Sequence, residues 1–389
     1  MKTRRNLKLD STPTFHNLTR FMMRAMLCFA LCMLALGLTA GARKATIITF
    51  DASDAGTGAG QGTTPYAVNP AGVITGWYQD ASNVYHGFLR ARNGAIIAFD
   101  SPGAGTASFQ GTLGYSINPA GEITGYYIDA GDVIHGYLRA PHGRFTTFDA
   151  PGAGTGPGQG TGGLNINPRG VIAGNILDSN DVFHSFVRAP DGTITTFDVA
   201  GAGTGYHQGT SVSSVDGLNP AGAIAGAYLD GAYAWHAYLR APDGKITLFD
   251  VPGAGTGPYE GPNVTGINPA GVIPGFNGDA SDVAHGFVRA PHGTITLFDV
   301  LGAGTGSGQG TFAECINPAG EIPGYYVDAS GAAHGFLRAP YGAITTFDVP
   351  AAGASSGQGT FGVSNNPDGV ITGYFVDASF VYHGFLRNP

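Results

Sequence analysis

The chain has 389 residues, 65 of them Gly and 24 Pro, yet 43% are hydrophobic, 11% aromatic and only 12% charged. That balance excludes intrinsic disorder, which needs low hydrophobicity and high charge. No sustained Leu, Ala, Glu and Lys stretch at helical spacing occurs, so an all-α fold is excluded as well; the formal net charge is −8.

Residues 1–42 differ from the rest. Arg20 and Arg24 precede the uncharged run AMLCFALCMLALGLTAGA, which closes on the small residues Ala40, Gly41 and Ala42. A basic stretch, an apolar stretch and a small-residue end are the order of a secretory signal peptide. An uncleaved anchor is the alternative, since the run is near the minimum for a bilayer span. Both predict export: a secreted, periplasmic or cell-surface protein. Residues 43–389 then carry 13 basic against 26 acidic residues, net −13. Polyphosphate and anionic lipid surfaces would be repelled, which excludes nucleic-acid and membrane-surface partners. Cys28 and Cys32 fall in the leader and Cys315 is left alone, so packing rather than disulfides must hold the fold.

The region 43–389 repeats. A His-small-aromatic tripeptide recurs at His86, His135, His184, His236, His285, His334 and His383, 49 residues apart except for one step of 52. Phe-Asp pairs keep the same beat at Asp51, Asp100, Asp149, Asp198, Asp250, Asp299 and Asp348. So do Asn-Pro pairs at Asn69, Asn118, Asn167, Asn219, Asn268, Asn317 and Asn366, and the three surplus residues fall between Asp198 and Asn219.

One repeat, read from Gly111, gives four short strands: GTLGYSIN, EITGYYID, HGYLRA and RFTTFD. The turns Asn118-Pro119-Ala120-Gly121 and Ala140-Pro141-His142-Gly143 have the Pro and Gly placement of tight turns. Strands this rich in Ile, Thr, Tyr and Phe make an antiparallel meander whose two faces need neighbours to cover them. Seven such units predict an all-β, seven-bladed β-propeller of four-stranded antiparallel blades, with a solenoid as the alternative. The region begins on a lone fourth strand, Thr46–Asp51, and ends on a lone third strand, His383–Arg387. Pairing the N-terminal strand with the last repeat would close the ring.

The HGFLRAP and INPAGEITGYY segments resemble the HAF-type extracellular repeat proteins of bacteria, across all seven repeats. Here the middle residue of the tripeptide is mostly Gly, with Ser185 and Ala237 as departures. The resemblance implies export and a repeat-built β fold, and no particular activity. The WD40, kelch and Asp-box patterns are not matched.

In a propeller, the second-to-third-strand loops and the crossings between repeats share one face. The first would carry Asp80, Asp129, Asp178, Asp230, Asp279, Asp328 and Asp377, next to the repeated His and Phe-Asp residues. The His and Phe-Asp series read as structural pins, because a buried polar side chain needs a partner. The loop aspartates mark the face where a ligand would bind, and a ring of carboxylates and carbonyls could hold Ca²⁺; no other cofactor is implied. Gly-rich crossings such as residues 151–161 lack the Lys-Ser/Thr and the helix of a phosphate cradle. The repeated Arg90, Arg139, Arg188, Arg240, Arg289, Arg338 and Arg387 fall near the opposite face, where carboxylates or turn carbonyls would pair with them.

Catalysis needs groups in distinct roles, so departures from the repeat are the informative positions. These are Glu260, standing where other repeats carry Gln, with Glu314, Cys315, Tyr206, His207, Trp235 and the surplus at Ser213-Ser214. Glu260 and Glu314 are candidates for a carboxylate pair, and His207 for a companion group. The expectation is a monomeric, non-enzymatic binding or scaffold module for a glycan or an extracellular protein. Tyr78, Tyr126, Tyr127, Tyr325, Tyr326 and Tyr374 would stack on sugars where they reach that face, the alternative for each being a place in the core of its repeat. The alternative is an extracellular propeller-type hydrolase or lyase acting on polysaccharide, which predicts that Glu260, Glu314 or His207 lines one pocket.

Overall fold

The computed structural model describes residues 45–213 and 216–389. The expected leader, residues 1–42, and Ser214 of the surplus lie outside the described residues.

Among the described residues there are twenty-eight strands and no helix. The first, β1, is Thr46–Phe50. The strands that follow pair in antiparallel runs of four: β2 (Gly62–Val68), β3 (Ile74–Gln79), β4 (Tyr85–Arg90) and β5 (Ile96–Phe99). The second run is β6 (Gly111–Ile117), β7 (Ile123–Ile128), β8 (Ile134–Arg139) and β9 (Phe145–Phe148). The third is β10 (Gly160–Ile166), β11 (Ile172–Leu177), β12 (Phe183–Arg188) and β13 (Ile194–Phe197). The fourth is β14 (Gly209–Val212), β15 (Ile224–Leu229), β16 (Trp235–Arg240) and β17 (Ile246–Phe249). The fifth is β18 (Gly261–Val264), β19 (Ile273–Gly278), β20 (Ala284–Arg289) and β21 (Ile295–Phe298). The sixth is β22 (Gly310–Ala313), β23 (Ile322–Val327), β24 (Ala333–Arg338) and β25 (Ile344–Phe347). The last three strands, β26 (Gly359–Asn365), β27 (Ile371–Val376) and β28 (Tyr382–Asn388), take β1 as their fourth. Thr46 sits opposite Asn388 and Phe50 opposite Gly384.

The turns form as their residues dictate. In the second group the Gly121 N–H donates to the Asn118 carbonyl at 3.0 Å, and the Gly143 N–H to that of Ala140 at 2.8 Å. The Asn of each Asn-Pro pair does more than the turn chemistry foretold. Its Oδ1 accepts N–H groups of its own turn, two at Asn69 and one at Asn118, while its Nδ2 donates to the carbonyl of the next group's Asn. The handover runs from Asn69 through Asn118, Asn167, Asn219, Asn268, Asn317 and Asn366, and Asn366 donates back to Asn69 at 3.3 Å.

Each group buries an Ile that opens its second strand and an aromatic ring in its third, for example Ile123 with Tyr137 and Ile273 with Phe287, all fully inaccessible. Burying one such side chain stabilises by about 1.5–3 kcal/mol. The small middle residue of the His-small-aromatic motif follows from the fourth strand: a Cβ on Gly136 would lie 2.5 Å from the Phe148 ring. Between groups the repeated Arg residues act as mortar. Arg139 lies over the Phe99 ring of the preceding group at 4.6 Å, and Arg387 over Phe347 at 5.0 Å. Of the two partners expected for them, turn carbonyls are found and carboxylates are not: Arg188, Arg289 and Arg338 donate to the carbonyl of the following Ala, which opens a turn, while all ion pairs among the described residues join His to Asp.

First strands are shorter in groups four to six. Pro274 and Pro323 stand where Thr75 stands in the first group, and proline offers the ladder no N–H. In group four the surplus lies after Val212, inside what would be the first strand, and Asp216 there has φ 40°.

Candidate functional site

The repeated His residues open the third strands at the end of the molecule that carries the crossings. In each group the Nδ1 of the His faces the Phe-Asp aspartate at 2.9–3.1 Å, from His86 with Asp100 to His383 with Asp51. The Nε2 faces the loop aspartate at 3.4–3.6 Å: Asp80, Asp129, Asp178, Asp230, Asp279, Asp328 or Asp377. The same aspartates use Oδ1 to accept two N–H groups of their own loop, as Asp279 does from Ser281 and Val283. The Val283 N–H, outweighing burial, holds the Asp279 carboxyl below its usual range. At Asp129 burial pushes the other way, but the Val133 and Gly131 N–H groups and His135 prevail. The Asp100 hydrogen bond raises the His86 imidazole against the opposing effect of burial. Their oxygens are thus engaged within the loop and with His, and no group of three His, Cys, Asp or Glu side chains suited to a metal occurs among the described residues.

The aromatic residues expected to stack on sugars divide. Tyr78, Tyr127 and Tyr326 lie against the ring of their own group's His, with centroids 4.9–5.0 Å apart. They are therefore structural partners of the His-Asp sets, which corrects the earlier expectation for them. Tyr126, Tyr325 and Tyr374 belong instead to runs of aromatic rings along the first and second strands. One run links Trp77, Tyr115 and Tyr126 at 5.1–5.2 Å; another links Phe312, Tyr325, Phe361 and Tyr374 at 4.9 Å.

Of the three catalytic candidates, His207 lines a cavity, and Glu260 and Glu314 are absent from that lining. Glu260 turns back into its own crossing and accepts the Gly257 N–H at 2.7 Å. Glu314 follows β22, where burial pushes its carboxyl up to about 8 although it keeps some surface, and it acts on Tyr325, Tyr374 and Cys315. Cys315, fully buried, bonds Asn365, and Asp216 beside it is raised by burial to about 6. His207 is elsewhere, at the tip of the crossing between groups three and four, stacked on Tyr206 at 4.0 Å and tilted against Phe183 at 5.8 Å.

His207 lines a cavity of about 670 Å³. Tyr115 and Tyr126 wall it on one side, Phe183 with Tyr206 and His207 on another, and Asp181 is the one carboxylate of its lining. The Asp181 Oδ1 accepts from Gln159 Nε2 at 2.9 Å. Smaller cavities of about 250 and 120 Å³ lie at other joints between groups, the first lined by Tyr66, Trp77, Tyr85 and Tyr382, the second by Trp235, Tyr259 and Asn263. Tyr206, His207 and Trp235 were legible as departures from the repeat; that they meet a cavity was not, because Tyr115 and Tyr126 come from a different group.

No protein-family model matches the chain, and no curated protein matches it. Among solved structures it is similar to the BP39L lectin of Burkholderia pseudomallei, with a TM-score of 0.53 and 10% identity over 84% of this chain and 98% of the lectin. It is equally similar, at a TM-score of 0.53 and 9% identity, to a prolyl endopeptidase, 84% of this chain covering 49% of that one. At such identities the likeness is one of fold.

Proposed function

We propose that this chain is a seven-bladed β-propeller, closed by β1 completing the blade of β26–β28, and that it is an exported, monomeric and non-enzymatic binding module for an uncharged saccharide. The β1–β28 pairing, the His383–Asp51 contact and the return of the asparagine relay from Asn366 to Asn69 support closure. Export rests on the apolar leader, and the resemblance to HAF-type repeat proteins agrees with it.

The aromatic-walled cavity carries the reading. Aromatic rings and one carboxylate in a single lining suit a sugar ring, whose C–H faces stack while its hydroxyls donate. The surplus of Asp on this face disfavours sulfated or uronic sugars. Glycoside hydrolysis by the usual route requires two carboxyl groups flanking the bond, and Asp181 stands alone in the lining, which favours binding over the hydrolase alternative. An extracellular protein would reach the same face through the glycans it carries.

The test is titration of uncharged oligosaccharides of mannose, N-acetylglucosamine and fucose into the protein and into Tyr126→Ala. Saturable binding weakened at least about tenfold by the substitution, the loss of one stacking surface, is expected. No binding by any of them would end the saccharide reading.

A further inference from the structure

The tip of each crossing between groups is in the left-handed conformation. Gly60, Gly158, Gly308 and Gly357 occupy it with φ of 72–83°, whereas Phe109, His207 and Tyr259 do so with φ of 64°, 55° and 65°. A bulky residue is disfavoured there, and such strain persists where function or surrounding structure demands it. Packing does not demand it: a Cβ on Gly60, Gly158 or Gly308 would meet nothing within 4 Å. Phe109 and Tyr259 accordingly leave 61% and 63% of their surface in solvent, and His207 is exposed too. The backbone of each tip is tied down, the N–H of Phe109, His207 and Tyr259 donating to the carbonyls of Asn83, Asp181 and Tyr233 respectively at 2.6–2.7 Å.

A second position varies in step. The residue before the repeated His is Tyr85, Phe183 or Trp235 where the following tip is aromatic, and Ile134, Ala284 or Ala333 where it is Gly; only Tyr382, followed by Gly60, breaks the pattern. Tyr85 and Phe109 lie 6.5 Å apart, Phe183 and His207 5.8 Å, and Tyr259 lines one cavity with Trp235. Two variable positions thus place neighbouring aromatic rings at three joints of an otherwise repetitive scaffold.

We propose that these three joints, Tyr85/Phe109, Phe183/His207 and Trp235/Tyr259, are separate subsites whose exposed tip rings each stack on one sugar residue, making the molecule a trivalent saccharide binder. This rests on the saccharide reading above. Three equivalent weak sites on one rigid face suit a branched or repeating glycan, where linked binding multiplies affinity.

The test is calorimetric stoichiometry with the uncharged oligosaccharides named above, on the protein and on Phe109→Gly, His207→Gly and Tyr259→Gly. Glycine fits the backbone at each tip, so the variants should fold with unchanged thermal midpoints. Three sites per chain, falling by one with each substitution and to none in the triple variant, is the expected result. A single site lost only in His207→Gly would overturn trivalency and leave the saccharide reading standing. Undiminished binding by the triple variant would overturn the subsites in the same way, and no binding by the unaltered protein would overturn both.

Discussion

Each imidazole of the repeat faces two carboxylates from different loops, and at His86 that arrangement has a pH signature. At His86 the hydrogen bond to Asp100 raises the folded pKa above 6.5. The stability it contributes is therefore complete below the unfolded pKa and is lost as pH rises through the folded one. Proton NMR should show His86 titrating above 6.5, and Asp100→Asn should bring it back; an unmoved titration would discount the contact. Glu314 works in the same sense. Its folded pKa is lifted from 4.5 to about 8 by burial, so the folded state holds a proton that the unfolded state releases, and stability falls between those values as pH rises. Asp216, Cys315, Tyr325 and Tyr374 act in the same interior. Glu314→Gln should flatten that part of a denaturation-versus-pH curve, and an unchanged slope would assign it to other groups.

At the scale of elements, the four-strand parse, its turns and the pairing of β1 with β28 were legible in the sequence because period-49 spacing exposes each strand and each Pro-Gly turn in seven copies. The His-Asp pins were legible for the same reason. Contacts between repeats were not. Nothing local tells that Arg139 stacks on Phe99, or that Asn167 donates to Asn219, since both partners belong to the neighbouring unit. The loss of ladder residues opposite Pro274 and Pro323 could have been read from proline's missing N–H, whereas the detour after Val212 required the fold. The asparagine relay carries a clear energetic prediction. Asn167→Ala removes one buried donor and the acceptor for Arg169 and Val171. It should cost about 2–4 kcal/mol in urea denaturation, because buried polar groups are left unpaired. A loss under about 1 kcal/mol would show that the relay only decorates turns held by the ladder.

Across the whole molecule, repetition and exception divide the work. Identical positions, the buried Ile and aromatic core, the His-Asp pins and the Arg-Phe mortar, build the scaffold, while Tyr206, His207, Trp235 and Tyr259, which vary, line the cavities beside the crossings. Of the candidate site, the exceptional residues Tyr206, His207 and Trp235 were visible in sequence, but the pairing expected of Glu260 and Glu314 failed, since an exception in the repeat does not reveal which way its side chain turns. The most direct test of the account is a crystal structure of the protein grown with an uncharged oligosaccharide. A sugar ring between Phe183, His207 and Tyr126, with a hydroxyl donating to Asp181, is the predicted result. A sugar bound on the face of the Asn-Pro turns, away from every crossing, would contradict it.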